Sequence, residues 1–390
     1  MKVAVFSYAD TLTGGNLRLI RAFRYYPKDF YLFIPSDKYD RLKGILEVID
    51  PFSLDYLEKR AVMLKPMGRL KSILSYYKYG KYVAKSAKDY GADVLFLYHE
   101  NVYFPFGFES GNAKWTMLLQ QTPVLGSIVI EEGKGFKLFK ENYEKIYGYG
   151  FLKSIKGYLR LKAFDFSTKD RTLISSSKST PYELNLLGVR KNFITLNVPS
   201  GTDGCLKKSN HKDVDVAFFS RVVYEKGIFD FINVLSLLKT HLKKAYIIGF
   251  ADDEMKKIVE KELTANGLDF VETLFNANKE EAHEALSRSK LLVYPSKMDS
   301  FSLSLMESLS CGTPAVAYAI PGIRFNYDTK AVKLVKPLDY KALADEALKV
   351  LKSGEWEEMS RVGLEYSKRF TWEAMVEDEV KAISKIVNKS

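Results

Sequence analysis

Short apolar strand patterns alternate with helical patterns through both halves of this chain, and no other feature restricts its fold as tightly. Residues 3–7, 30–34, 94–98 and 173–175 have the length and the β-branched or aromatic character of buried strands. In the second half, residues 214–219, 245–249, 270–274, 291–294 and 315–318 read the same way, with helical segments at 229–241, 253–266 and 279–289 between them. Strands that are apolar on both faces and separated by helices need parallel sheets covered on both sides. With 390 residues there is enough chain for two such cores. The expected fold is therefore α/β, with two doubly wound parallel-sheet (Rossmann-like) domains facing a central crevice. Gly201, Gly204, Ser209 and Asn210 mark residues 201–212 as the joint and a hinge. Residues 1–203 then form the first domain and 204–370 the second, followed by an amphipathic helical pattern within 371–390.

Composition narrows the setting. Hydrophobic residues make up 46% of the chain, yet no uninterrupted apolar run reaches the roughly 18 residues that a spanning helix needs. Met1-Lys2-Val3-Ala4-Val5 leads straight into a strand without the apolar core of a secretion signal, so a cytoplasmic protein is expected. Cys205 and Cys311 are too few for a disulfide framework or a metal cluster, and His99, His211, His241 and His283 are scattered, so no metal is expected. Abundant Lys and Tyr with only Gln120 and Gln121 for glutamine hint at a heat-adapted chain.

Charge is uneven. Residues 1–200 hold 31 Lys plus Arg against 19 Asp plus Glu, leaving +12, whereas residues 201–390 hold 28 against 29, leaving −1. In residues 151–160, Phe151, Leu152, Ile155, Tyr158 and Leu159 share a helical face beside Lys153, Lys156 and Arg160. Such a helix suits an anionic bilayer surface, although a core-facing helix with a solvated basic face has the same pattern. Nucleic acid is not an expected partner, because no aromatic RNA-binding signature or helix-turn-helix pattern occurs.

The candidate chemistry sits in residues 290–314. An apolar strand stops at Pro295-Ser296, and a helical pattern starts near Ser302 and ends at Cys311-Gly312-Thr313-Pro314. A helix that starts just past a strand presents free N–H groups and a positive dipole end to a diphosphate. Asp299 and Glu307, eight residues apart, flank that turn. Arg221 and Lys226 follow the strand at 214–219, where Arg can grip phosphate oxygens bidentately and Lys adds a point charge.

These segments, in this order, resemble the retaining GT-B glycosyltransferases, the large group 1 family (family 4-like). Phe219-Ser220-Arg221 through Lys226-Gly227 resembles the family's diphosphate-holding Arg/Lys segment, and Asp299 through Glu307 with Cys311-Gly312-Thr313-Pro314 resembles its two-acid signature. Asp299 replaces the first Glu, and Ser300 and Ser302 replace two glycines. Pro199-Ser200-Gly201-Thr202-Asp203, Thr13-Gly14-Gly15-Asn16, the strand ending in His99-Glu100 and Phe370-Thr371-Trp372 resemble further family segments, so the likeness covers nearly the whole chain. It implies a nucleotide sugar, UDP- or GDP-linked, as substrate, no cofactor and no metal. Asp299 would meet the donor sugar, the amides near Phe301, Ser302 and Leu303 the phosphates, Glu307 the ribose, and the loop around Phe250 and Asn276 the base. Gly14 and Gly15 would admit phosphate or acceptor. The last helix would cross back to the first domain.

For the acceptor side the resemblance implies a histidine where this chain has Gln121. Gln121 can hydrogen-bond but cannot act as a base, which leaves His99 and Glu100. The expected function is retaining, metal-independent sugar transfer to a glycan or lipid-linked acceptor, by an enzyme peripheral on the inner face of the cell membrane. A nucleotide-sugar 2-epimerase and a non-catalytic nucleotide-sugar binder are the alternatives.

Overall fold

Seven strands of the first domain pair side by side in the computed structural model, which describes residues 1–11, 13–111 and 113–389. They are β1 (Val3–Phe6), β2 (Phe30–Pro35), β3 (Ala61–Leu64), β4 (Val94–Leu97), β5 (Trp115–Leu119), β6 (Thr172–Ser175) and β7 (Asn192–Thr195). Their order is β3-β2-β1-β4-β5-β6-β7. The second sheet contains β8 (Val214–Phe219), β9 (Ala245–Gly249), β10 (Val271–Phe275), β11 (Ser289–Tyr294), β12 (Ala315–Tyr318) and β13 (Val332–Val335), in the order β10-β9-β8-β11-β12-β13. Every pairing is parallel; Val3, for example, is in register with Phe30 on one side and Val94 on the other. This is the expected pair of doubly wound domains.

Two-residue periodicity sorts the first sheet's side chains. Val3 and Val5 enter one core layer with Leu32 and Phe96, while Ala4 and Phe6 enter the opposite layer with Phe33 and Leu97. The first of these layers also contains Trp372, Met375, Val376 and Ile383 from the helix Trp372–Lys389. That helix follows the second domain in sequence and packs on the first. Arg18 and Glu379, both buried, pair across this contact at 2.5 Å, and Tyr98 accepts from the same guanidinium nitrogen. A buried charge pair of this kind is tolerated because each member finds several partners.

In both sheets the chain order reverses once, between β1 and β4 and between β8 and β11. The loops leaving these strands separate there and open a crevice at the carboxyl ends of the strands. The domains also meet directly. Ser177 Oγ donates to the Ser300 carbonyl (2.6 Å), and buried Asn326 bridges the two with Nδ2 2.8 Å from Ser177 Oγ and 2.9 Å from the Ser300 carbonyl.

The joint departs from the sequence expectation, because Cys205 and Cys311 form a disulfide. Cys311 caps the helix Leu303–Ser310 and Cys205 leaves the joint beside it, bringing their Cα atoms to 4.8 Å. The cysteines lie 106 residues apart, so no spacing pattern announces the pair. Asp203, in the same joint, accepts from Lys279 Nζ (2.8 Å), Trp372 Nε1 (2.7 Å) and Arg21. The expected hinge is thus stapled to the second domain by a covalent bond and to both neighbours by charge. His283 lies with the two sulfurs in a cluster whose candidate ligand atoms are within 4.8 Å of one another, but sulfurs bonded to each other carry no thiolate for a metal.

Candidate active site

A cavity of about 390 Å³ fills the crevice between the two domains. From the first domain it is lined by Gly14, Gly15, His99, Glu100, Gln120 and Gln121, and from the second by Arg221, Lys226, Met298, Asp299, Phe301 and Leu303. Each group comes from a loop following a strand at or beside a switch point.

Two helix starts face each other here. The helix Gly14–Ala22 begins after β1, capped by Thr13 Oγ1, which accepts from Asn16 N–H. The helix Leu303–Ser310 begins after β11, capped by Ser302 Oγ, which accepts from Leu305 N–H (3.1 Å) and donates to Tyr294 OH (2.7 Å). A Cβ on Gly14 would stand 3.4 Å from Leu303 Cδ1, so the domains approach to van der Waals contact. A Cβ on Gly15 would collide with Gln120 Oε1 and would displace that side chain. Both helix starts therefore direct unpaired N–H groups and positive dipole ends toward the crevice.

The β8 loop forms a 3₁₀ turn, Tyr224–Lys226, followed by Gly227 in the left-handed region (φ 78°), where a side chain would strike the Pro295 carbonyl. This tight contact sets Lys226 against the β11 loop. Lys226 Nζ donates to Asp299 Oδ1 (2.7 Å) and to the Met298 carbonyl (2.7 Å). Arg221 is exposed at the crevice, and its side chain has no ion pair or hydrogen bond among the described residues.

Asp299 is engaged by protein. Besides Lys226, its Oδ2 accepts from Tyr294 OH (2.8 Å) and Ser296 Oγ (2.5 Å). Its shorter side chain keeps the carboxylate under the turn, where it holds Lys226 in place. Ser300 and Ser302 fit because neither needs positive φ; Ser302 lies at φ −87°, ψ 109°. Phe301 stacks on Tyr327, with ring centroids 5.4 Å apart, and anchors the turn to the second core.

The other expected donor residues lie beyond the cavity wall. Glu307 faces Lys279 (3.2 Å) and His283 (3.9 Å), one turn further along its helix. Burial holds the His283 pKa below its ordinary value. Asn276, at φ 59°, ties the neighbouring loop by accepting from Ala251 N–H (3.0 Å) and donating to the Ala251 carbonyl (3.1 Å). Phe250 in that loop is 66% exposed, and its carbonyl accepts from Val222 N–H (2.8 Å), next to Arg221.

On the first-domain wall, His99 has both ring nitrogens engaged. Gln120 Nε2 donates to Nδ1 (3.3 Å) and to the Tyr98 carbonyl (3.0 Å), which leaves the proton on Nε2, facing Ser7 Oγ (3.2 Å). Burial and nearby Arg18 bring the His99 pKa down to about 4, so the ring is neutral. Glu100 accepts from Gln120 N–H (3.3 Å), and burial pushes its carboxyl up to about 7 against hydrogen bonds from backbone and Gln121 that favour the charged form. Gln120 and Met298 carry no sequence signal that would mark them as crevice residues; only the topology brings them there.

Residues 207–369 match the family described as Glycosyl transferases group 1. The second domain belongs to that family. Residues within the match include Arg221, Lys226, Asp299 and Glu307. The chain is 24% identical over 164 residues to an uncharacterized glycosyltransferase of Methanocaldococcus jannaschii, covering 41% of this chain and 44% of that protein. It is 28% identical over 126 residues to O-antigen chain mannosyltransferase B of Escherichia coli, covering 32% of each. The chain thus spans less than half the length of these curated relatives. Among solved structures, Anabaena HepE in complex with UDP superposes with a TM-score of 0.72 at 15% identity, over 99% of this chain and 100% of that one. Sucrose-phosphate synthase from Thermosynechococcus elongatus superposes with a TM-score of 0.71 at 17% identity, over the whole of both chains. These likenesses extend the GT-B fold of the group 1 domain to the full chain.

Proposed function

We propose that this chain is a retaining, metal-independent glycosyltransferase that moves a sugar from a UDP- or GDP-linked donor to a glycan or lipid-linked acceptor at a membrane surface. The observation that carries the reading is Arg221, exposed and unpaired in a crevice where Lys226 and two helix starts converge. Glycosyl transfer builds negative charge on the departing diphosphate, and fixed positive groups that meet this charge lower the barrier. Arg221 supplies the mobile bidentate contact, Lys226 the fixed point charge, and the helix starts the N–H donors. From there a nucleotide runs along the second domain, with its ribose toward Glu307 and its base toward Phe250. HepE has been solved with UDP and with UDP-glucose, which favours a nucleotide sugar as ligand. Front-face attack, with the donor phosphate receiving the acceptor proton, suits a site whose only histidine is neutral and fully engaged.

A non-catalytic nucleotide-sugar binder remains the second reading, because Asp299 is occupied by protein partners. Turnover separates the two.

Membrane action rests on the helix Phe151–Ser167. Among the described residues no helix is long and apolar enough to cross a bilayer. In this helix, however, Leu152, Leu159 and Phe166 point outward, 80%, 64% and 71% exposed, while Ser154, Gly157, Leu161 and Phe164 face the core. Leu152, Leu159 and Phe166 thus form an apolar stripe open to solvent and flanked by Lys153, Lys156 and Arg160, while Ile155 and Tyr158 are half-buried, and the exposed stripe suits a peripheral, cytoplasmic-face enzyme. Wild-type protein is expected to co-sediment with anionic phosphatidylglycerol vesicles and not with phosphatidylcholine. Leu152→Ser/Leu159→Ser and Lys153→Glu/Lys156→Glu should each abolish this. Equal sedimentation of all forms, or none by the wild type, would remove the membrane from the proposal.

A further inference from the structure

The transfer reaction leaves the acceptor undefined, and one side chain of the first-domain wall bears on its chemistry. Glu100 follows β4 at the switch point and lines the crevice opposite Arg221 and Lys226. Its polar contacts are its own backbone N–H, the Gln120 N–H and the Gln121 side chain, and no cation pairs with it among the described residues. Arg18, which also lines the cavity, pairs with Glu379 and donates to Tyr98 OH and the Pro199 carbonyl, while its Nη2 has no hydrogen-bond partner among the described residues. Such a carboxylate, open only toward the crevice, has lone pairs without donors.

We propose that Glu100 binds the acceptor by receiving a hydroxyl of a neutral, polyhydroxylated group, and that the reacting end of the acceptor carries no phosphate. The inference rests on the transferase reading above. The neighbours decide the class of ligand. His99 is neutral with both nitrogens engaged, and Gln120 Nε2 is spent on the Tyr98 carbonyl and His99. Tyr8 from the segment after β1 also surrounds Glu100; burial keeps its phenol protonated, as does the neighbouring charge of Glu100. Tyr76, from the helix Ile73–Asp89, approaches from the same side through its contact with Phe104, which also touches Tyr8. This wall therefore presents the Glu100 carboxylate and neutral dipoles, and the charge of Arg18, which also lines it, is offset by its pairing with buried Glu379. An anionic acceptor group would meet repulsion there, whereas a sugar hydroxyl would make a charge-assisted hydrogen bond.

The ionisation of Glu100 gives the inference a signature that a structural role would lack. Its carboxyl titrates at about 7, so acceptor binding should strengthen as pH rises through neutrality. Saturation-transfer NMR on the full chain would probe methyl glycosides of glucose, galactose and mannose, with mannose 6-phosphate as the anionic competitor. The expected result is binding of at least one glycoside that tightens severalfold above neutral pH. Glu100→Gln should lose about tenfold in affinity, as expected for one charge-assisted hydrogen bond, and should lose the pH dependence. Mannose 6-phosphate should not displace the glycoside. Three outcomes would overturn the inference: no glycoside binds the wild type, Glu100→Gln binds as the wild type does, or the phosphorylated sugar displaces the neutral one. Retained UDP or GDP binding by Glu100→Gln guards against simple misfolding, and its loss would also count against a specific acceptor role. The readout needs no turnover, so glycoside binding without sugar transfer would sink the transferase reading and leave Glu100 only as a binding group for a neutral sugar hydroxyl.

Discussion

Glu183 is buried on the helix Ser179–Leu186, where Thr122 Oγ1 donates to one carboxylate oxygen and no donor among the described residues reaches the other with full hydrogen-bond geometry, although Ile128 N–H and Ser179 lie close. Burial pushes its pKa from an ordinary 4.5 up to about 8, so in the folded chain it is protonated at neutral pH. The unfolded chain releases that proton at lower pH. Between the two values the folded state holds more protons, and stability falls as pH rises until it levels off above about 8. Melting temperatures across that range should therefore decline in the wild type relative to Glu183→Gln; parallel curves would show that the carboxyl is not held neutral. Nothing in the sequence marks Glu183, since its partner Thr122 lies 61 residues away. Arg221 and Lys226 are legible because a basic pair following a buried strand must emerge at a strand's carboxyl end. For Asp299 the position is legible and the partners are not. Which hydroxyls surround a carboxylate depends on how Tyr294 and Ser296 pack, and a linear motif does not encode that packing.

Elements differ in legibility for a related reason. Buried strands such as β1, β4 and β8 have continuous apolar runs and stand out. β3, β7 and β13 do not, being four-residue edge strands with solvent-accessible positions, too short to separate from loop. For the helix Phe151–Ser167 the sequence supplies the amphipathic pattern but not which side faces the core. Gly157 decides it, because a Cβ there would press on the Phe139 ring at 2.9 Å, and the helix turns that side inward. The joint was legible as glycine-rich, whereas its disulfide was not. Closing a loop of 106 residues should stabilise the fold by about 3–5 kcal/mol in the chain-entropy account. A dithiol reductant, or Cys205→Ser with Cys311→Ser, is expected to lower the midpoint of urea unfolding. An unchanged midpoint would mean that the pair contributes nothing to the folded state.

Across the whole molecule, the two domains divide the work by charge. The first domain carries the chain's excess positive charge on its surface yet lines the crevice with Glu100, Gln120, Gln121 and a neutral His99. The nearly neutral second domain lines the crevice with Arg221 and Lys226, the cations proposed to meet a diphosphate. Contacts through Ser177, Ser300 and Asn326 hold the two domains together beside the crevice. The most direct test of this account is an NMR time course of purified protein in EDTA, with UDP-, GDP- and ADP-sugars and a lipid extract as acceptor source. One donor should be consumed with release of its nucleoside diphosphate and retention at the anomeric carbon, and Arg221→Ala should abolish the reaction while the protein stays folded. Donor binding without turnover, a product of inverted configuration, or full activity in Arg221→Ala would contradict it.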